Sequence, residues 1–544
     1  MFMKKIECIQ INGEEVEKKY TVKPLVAKVL SYCAYSDEQI EDLLTETIHL
    51  QTSEAKCILD AAKRIMLAKE KKEKVFIAGD YDADGICATT IMKMTLNHLQ
   101  IKNGYYIPDR LKDHYGLSSE IVKKAFGKGY RLIITVDNGV SCFEAIAEAK
   151  RLGMDVIVTD HHLIGEDCGA DILVHPSLME ERFAYLCGAG VAYELSRLLI
   201  GDRDDLCALA SVASIGDVMP LWKETRAIVK KGLQILNTSH KPLSLYSLAP
   251  EREKHITADT IGFYIAPKLN SFGRLAELAN ANNAPKYLLL TKKEEIEHVI
   301  FDINHLNDVR KHLAEKQFKQ MKDKVEEEAF IIQYDESFHE GINGLAAAKL
   351  MREFGRPALV LSKNGDMLKG SARTIEGLHL KDFLLSFPYV SGGGHELAAG
   401  ISLKAEDFEK FYHDVQEKMQ KEYPNGIQKI DSAIILEPED ISLEAIMELS
   451  RLEPYPKEIK DVYFAIKNMN SIVQDYEKVR KYRIPIAEGY LEAIIFKNSA
   501  LYKSGRFDEL KENDYFIGHL TINRFNGTVS AQMMIENIKG GSEA

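Results

Sequence analysis

No apolar run in this chain is long enough to cross a bilayer. The opening residues, Met1-Phe2-Met3-Lys4-Lys5-Ile6-Glu7-Cys8, lack the extended apolar core of a signal peptide. A cytoplasmic protein that meets no membrane is therefore expected. C-x-x-C pairs are absent as well: the eight cysteines lie apart between Cys8 and Cys207. Their spacing argues against a disulfide framework or a structural zinc site and fits a reducing compartment, with most of them as small core residues. Basic charge is in deficit too. A formal net charge of −12 does not suit a broad basic face that coats duplex DNA, although it leaves room for nucleic acid in a local basic groove. There is no internal repeat and no low-complexity tract. The 544 residues exceed what one core usually serves, so two to four domains are expected.

What the chain has instead is a cluster of carboxylates. Asp80, Asp82 and Asp84 alternate within GDYDADG at 79–85, directly after the apolar run Val75-Phe76-Ile77-Ala78. A calcium loop of the helix–loop–helix type also reads D-x-D-x-D-G, but it needs a bidentate Glu at its twelfth position. Counted from Asp80 that position is Ile91, and the preceding segment reads as a strand. The alternative is an oxygen-rich catalytic metal site. Two further buried-strand patterns end in comparable residues. Leu132–Val136 runs into Asp137-Asn138-Gly139, and Asp155–Thr159 runs into Asp160-His161-His162. Short β-branched runs between helical stretches mark parallel strands covered on both faces, and open α/β sheets bind ligands beyond the carboxyl ends of their strands. Taken alone, Asp137 before Asn-Gly reads as a turn residue. Three such endings in one sheet, one of them carrying two histidines, favour a shared site.

Hard carboxylates with imidazole suit manganese or magnesium. So many carboxylates carry more charge than one divalent ion neutralises, which points to two ions with one Asp between them. Such pairs activate water and stabilise a leaving oxygen in phosphoester hydrolysis. Asp217, in Ser214-Ile215-Gly216-Asp217-Val218-Met219-Pro220, is a further candidate ligand that alone would read as a cap. For phosphate, Gly392-Gly393-Gly394-His395 offers unobstructed backbone N–H groups, as an anion-binding nest, a helix N-terminus or a plain turn. Ser371 and Arg373 in KGSAR, Arg274 in NSFGR and Arg110 in PDR add hydroxyl and guanidinium donors. Each Arg is equally compatible with a surface ion pair.

Organisation follows the same periodicities. Residues from about 20 to 70 read as helical, and from about 74 to 220 strands and helices alternate, which predicts a doubly wound sheet. Residues 291–328 carry no Pro and place Ile296, Val299, Ile300, Ile303, Leu306, Val309 and Leu313 at helical spacing. This amphipathic helix is long enough to bridge domains, or it lies solvated on the core. A second, smaller α/β unit is expected over 329–423, and strand-like segments with a hairpin at Asn526-Gly527 follow to the end. The predicted division is 1–290, 291–328, 329–423 and 424–544.

These motifs, in this order, resemble the DHH phosphoesterase superfamily, and within it the RecJ-type single-stranded-DNA-specific exonucleases. The resemblance rests on GDYDADG, VDNG (136–139), DHH (160–162) and DVMPL (217–221). It continues through LCGAGVA (186–192), KLNSFGRL (268–275), LNDVR (306–310), KGSAR (369–373), GGGHELAAG (392–400) and GHLTINRFNG (518–527). It implies an α/β fold: a doubly wound parallel-sheet DHH domain, a long connecting helix, a smaller DHH-associated domain and a C-terminal OB-like domain. It implies two divalent ions, Mn2+ or Mg2+. Asp80 and Asp82 would serve one, Asp84, His161 and Asp217 the other, and Asp137 would bridge. His162 would stand beside the scissile phosphate, with Asp160 orienting a histidine from behind. Arg110, Asn270, Arg274, Ser371, Arg373, Gly393, Gly394 and His395 match positions that hold the DNA backbone and its 5′ end. Arg506, Arg524 and Phe525 are candidates for strand contact in the OB-like domain.

The chain departs from the family pattern at His114-Tyr115-Gly116-Leu117, Ser271-Phe272, Phe338-His339 and Tyr455-Pro456-Lys457-Glu458. None of these removes a metal ligand. The implied activity is 5′→3′ hydrolysis of single-stranded DNA to 5′-mononucleotides in recombination and repair, by a monomer that works with single-strand-binding protein and a RecQ-type helicase. The alternatives are a phosphodiesterase for cyclic dinucleotides or short oligonucleotides, and a non-catalytic replication scaffold on a degenerate DHH core.

Overall fold

A computed structural model describes residues 5–541 except 111, 112, 114, 115, 428, 429, 470, 488, 509, 526 and 527. His114, Tyr115 and the Asn526-Gly527 turn thus lie outside the described residues, as do the side chains of Arg524 and Phe525. The chain forms two compact units, Glu46–Leu313 and Met1–Thr45 together with Ala314–Ala544.

In the first unit a five-stranded sheet runs in the order Asn103–Tyr106, Lys74–Ala78, Tyr130–Val136, Asp155–Thr159, Ile172–Val174, and every pair in it is parallel. Its middle strands are buried along almost their whole length, which is why they read as unbroken apolar runs. Phe76, Ile133, Val156 and Val158 pack with Val122, Ala125, Ile146 and Ala149 of the helices Ser119–Gly127 and Phe143–Arg151. The opposite face carries Ala83–His98, Gly188–Ile200 and Asp204–Gly216, which pack on one another.

Strand order decides where the site falls. From Lys74–Ala78 the chain moves through Ala83–His98 to Asn103–Tyr106 on one side. It then returns to lay Tyr130–Val136 on the other side. The direction of winding therefore reverses between Lys74–Ala78 and Tyr130–Val136, and the crevice beyond their carboxyl ends is where such sheets take ligands.

The second unit holds two sheets. One orders Ser391–Gly394, Ala398–Lys404, Met367–Arg373, Ala358–Asn364 and Ile331–Tyr334, over a core that includes Phe330, Leu359, Leu361, Phe383 and Phe411. The other has eight strands, with Lys5–Ile9 at one edge and Ile472–Asp475 at the opposite edge.

The edge strand Lys5–Ile9 corrects the predicted division, which assigned residues 1–45 to the phosphoesterase domain. Lys5–Ile9 pairs in parallel with Ile430–Leu436. Helix Pro24–Tyr32 buries Leu25, Val26, Val29 and Leu30 and packs against Leu443–Arg451. Lys28 pairs with Asp440, both side chains mostly buried. The N-terminal segment thus completes the C-terminal unit, through backbone pairing that no local pattern announces. The amphipathic helix spans Lys293–Lys322, and the boundary between the two units falls within it, after Leu313. Among the described residues no helix is long and apolar enough to cross a membrane.

Candidate metal centre

Each acidic side chain of the site is placed by a strand end or a helix end. Asp80 follows Lys74–Ala78 and is buried. Asp82 caps the helix Ala83–His98, its carboxylate accepting from the Gly85 N–H at 3.0 Å. Asp84 lies in the first turn of that helix, and its two oxygens accept from the N–H groups of Gly188 (2.8 Å) and Ala189 (2.7 Å). These are the first two residues of helix Gly188–Ile200, so the helix dipole faces the carboxylate. Asp137 follows Tyr130–Val136 in a left-handed conformation, φ 62°, and its N–H donates to the Thr159 carbonyl at 3.0 Å. Asn138 is fully buried, and its Nδ2 donates to the carbonyls of Ala78 and Val136. It ties together the two strand ends that deliver Asp80 and Asp137.

These side chains converge. Ligand atoms of Asp80, Asp82 and Asp137 form one group within 4.8 Å of each other; Asp84, His161 and Asp217 form another, and Asp137, His161 and His162 a third. His161 Nε2 lies 3.2 Å from Asp137 Oδ1 and 3.6 Å from both Asp84 Oδ2 and Asp217 Oδ2. Asp137 belongs to two of the three groups, and through its 3.2 Å contact with His161 it adjoins the third.

The electrostatics call for cations. Burial, and then the neighbouring carboxylates, push Asp80, Asp82 and Asp137 above the usual carboxylate range. The same causes push Asp217 up to about 8. Asp80 Oδ1 is buried with no hydrogen-bond partner among the described residues. Burial lowers the His161 pKa, so its imidazole is neutral and keeps a lone pair for a ligand. An orphaned buried oxygen, crowded carboxylates and a neutral imidazole form the donor set that a hard divalent ion satisfies. The residues therefore fit manganese or magnesium.

His162 differs from its neighbour. Burial opposes its protonation, but the hydrogen bond and charge of Asp160 prevail and raise it to about 9. Asp160 Oδ1 meets His162 Nδ1 at 2.8 Å and accepts from the N–H groups of His161 and His162, while Oδ2 accepts from the Val140 N–H. From behind, His175 Nε2 donates to the His162 carbonyl at 2.9 Å. Protonated His162 contributes stability to the metal-free protein below its ordinary pKa, and that contribution is lost as pH rises through about 9. Asp160→Asn should remove it. The substitution should also cost about 10- to 100-fold in metal affinity or activity, since partners that orient ligands carry that weight. An NMR titration of His162 together with the manganese midpoint for activity checks both.

The predicted phosphate contacts fall into two places. Arg110 lies over the ring of Tyr81 at 5.3 Å, and the charges of Arg110 and Arg274 both act on that phenol. Asn270 Oδ1 accepts from the Ala83 N–H at 2.8 Å, so this residue positions the carboxylate loop. Ser371, Arg373, Gly393, Gly394 and His395 belong to the other compact unit. The expected nest or helix N-terminus at Gly392–Gly394 is instead an edge strand, Ser391–Gly394, paired antiparallel with Ala398–Lys404. Glycine is what permits this pairing: a Cβ at Gly392 or Gly394 would lie 2.1 Å from the Gly400 carbonyl oxygen or 2.3 Å from that of Ala398. Ser371 pairs with Gly400 and Gly400 with Gly393, so hydroxyl and glycine backbone share one row. Arg373 pairs with Ala398, whose carbonyl accepts from the His395 N–H.

Sequence reasoning assigned no role to Gly188, Ala189, Asn138, His175 or Val218. For the first two the only signal was the LCGAGVA stretch. Val218 follows Asp217 at the end of helix Asp204–Gly216 with φ 57°. Its N–H donates to the Ile215 carbonyl and that of Met219 to the Ser214 carbonyl, the helix ending in which glycine normally takes the left-handed position. A β-branched residue there costs about 1–3 kcal/mol.

Models of known families match three stretches: the DHH family N-terminal domain at 74–216, the DHHA1 domain at 327–421 and the RecJ OB domain at 432–537. The chain is 31% identical over 548 aligned residues to the single-stranded-DNA-specific exonuclease RecJ of Bacillus subtilis (strain 168), covering 95% of this chain and 68% of that protein. It is 29% identical to the Haemophilus influenzae protein of the same name, covering 89% and 90% of the two chains. The crystal structure of RecJ in complex with Mn2+ from Thermus thermophilus matches with a TM-score of 0.83 and 25% identity, over 98% of this chain and 79% of that one.

Proposed function

This chain belongs to the RecJ family of single-stranded-DNA-specific exonucleases, and on that footing we propose that it hydrolyses single-stranded DNA from a free 5′ end, releasing 5′-mononucleotides. The observation that carries the reading is the convergence of Asp80, Asp82, Asp84, Asp137, His161 and Asp217 on one crevice. Asp80 and Asp82 would hold one divalent ion and Asp84, His161 and Asp217 the other, with Asp137 between them. Manganese or magnesium bound there supplies Lewis acidity, lowering the pKa of water and offsetting charge on the leaving oxygen.

The chain's own residues do the rest. The amides of Gly188 and Ala189 fix both oxygens of Asp84. Burial keeps His161 neutral and able to ligate. Asp160 keeps a proton on His162, which then offers positive charge to a phosphate. Arg110, Arg274, Ser371, Arg373, Gly393, Gly394 and His395 are the proposed contacts to the DNA backbone and its 5′ end. The amide nitrogen of Asn270 would join them.

The proposed domains are a DHH domain from 46 to 290, a connecting helix within 291–328, a DHH-associated domain over 329–423, and an OB-like domain from 424 onward joined by residues 5–45. Arg506 is a proposed strand contact there. A monomer in the cytoplasm, acting with single-strand-binding protein and a RecQ-type helicase in recombination and repair, completes the proposal. The test is a single-stranded DNA oligomer labelled at the 5′ or the 3′ end and incubated with manganese, with Asp137→Ala as control. Early release of a labelled mononucleotide from the 5′-labelled strand alone is expected. Release first from the 3′ end, or equal release by the Asp137→Ala protein, would refute the reading.

A further inference from the structure

We infer that Val218 is a substrate-contacting residue, receiving the apolar face of a nucleobase that flanks the scissile phosphodiester; the inference rests on the exonuclease reading above. Three observations carry it. First, Val218 adopts a left-handed conformation, φ 57°, at a helix end where glycine is unstrained. Strain of this kind persists in proteins when it serves a site or when packing offsets it. Second, packing does not offset it here. The Val218 side chain is 80% exposed, and no large apolar side chain among the described residues is more exposed. Third, Val218 adjoins Asp217, whose carboxylate lies 3.6 Å from His161 Nε2. A branched apolar side chain is therefore held, at a cost and in water, one residue from the reacting centre.

The chemistry of the occupant follows. An isopropyl group has no donor or acceptor, so it does not serve a phosphate, a role that the neighbouring Asp217 group of metal-ligand candidates leaves to charged side chains. What it can cover is the neutral face of a base. Because every base presents such a face, the contact carries no sequence preference, as a nuclease that degrades a strand base by base requires.

Val218→Gly and Val218→Ala should both raise KM for single-stranded DNA about tenfold, the scale of burying and losing an aliphatic side chain. Val218→Gly should also raise the melting temperature by about 2–4 °C, since glycine relieves the strain. The thermal shift produced by manganese alone should keep its midpoint in both variants. A contact with a base is read by a cycle. The wild-type and Val218→Ala proteins are compared on strands whose first or second nucleotide is abasic. If Val218 covers a base, the abasic strand weakens the wild type but adds nothing to the loss in Val218→Ala at one of those positions. Additive losses at both positions, or a manganese midpoint that moves in step with KM, would overturn the inference. Failure of the wild-type protein to degrade any single-stranded DNA would instead overturn the exonuclease reading.

Discussion

Asp137→Asn should lower manganese-dependent hydrolysis of single-stranded DNA by about a thousandfold or more, roughly 4 kcal/mol of lost transition-state stabilisation, while leaving the metal-free protein at least as stable as before. Both halves come from the same geometry. Asp137 shares groups with Asp80 and Asp82 on one side and with the two histidines on the other, so its carboxylate is the one whose loss empties both. The amide keeps the shape and tolerates the left-handed backbone at φ 62°. What it removes is charge. Burial and then Asp84, Asp82, Asp80 and Asp217 all raise the Asp137 carboxyl above its usual range, and a carboxyl raised on folding takes up a proton that the unfolded chain does not bind. Its contribution favours folding below the unfolded-state carboxylate pKa and turns unfavourable as pH rises through the folded values, with Asp217 at about 8. In chelator at pH 8, Asp137→Asn should therefore melt at or above the wild type, and the gap should close by pH 5. Added manganese should raise the wild-type melting temperature and move the variant much less. A variant that hydrolyses DNA within tenfold of the wild type, or that melts lower in chelator, would contradict this account of the cluster.

How much of this was legible beforehand depends on how local the cause is. The parallel strands Lys74–Ala78, Tyr130–Val136 and Asp155–Thr159 show in the sequence because burial on both faces forces unbroken apolar runs. The residues just beyond them sit at one sheet edge because of the strand direction alone. That is why Asp80, Asp137 and His161 were readable as a set; the long amphipathic helix also shows in its periodicity, although the observed Lys293–Lys322 ends six residues before the predicted 328. The parallel pairing of Lys5–Ile9 with Ile430–Leu436 was not readable, since a strand of mixed pattern says nothing about a partner over 400 residues away. Nor was the edge strand at Gly392–Gly394, where glycine permits a nest, a turn or a strand alike and only the neighbouring Ala398–Lys404 decides. Asn138 and His175 escaped for a further reason. They act on backbone carbonyls, and any residue with a donor of the right reach could have done so.

Gly188→Ala should cost about a hundredfold in activity, an effect comparable with losing a preorganised donor at a reacting centre, although the glycine carries no functional group. A Cβ built at Gly188 would lie 2.5 Å from Asp137 Cβ and Oδ1 and 2.7 Å from its Cα. Two of these three atoms are fixed by the strand end, so no rotamer relieves the clash and the start of helix Gly188–Ile200 has to recede. Its first two amides are the ones that hold Asp84, at 2.8 and 2.7 Å. One methyl group thus presses on Asp137 and releases Asp84, disturbing ligands of both proposed ions at once. Two buried carboxylate oxygens that lose their donors should also destabilise the fold by about 1–3 kcal/mol. Gly127→Ala is the control, because its Cβ would meet nothing within 4 Å. The two variants are compared by the manganese midpoint for hydrolysis and by melting with and without the metal. A Gly188→Ala protein whose midpoint and rate stay within threefold of the wild type would mean that the helix N-terminus does not govern where Asp84 points. The expected result has the opposite consequence: the demand for a glycine at 188 comes from the approach of a helix to a strand end, and the glycine is part of the metal centre because it lets Asp137 and the Asp84-binding amides lie that close.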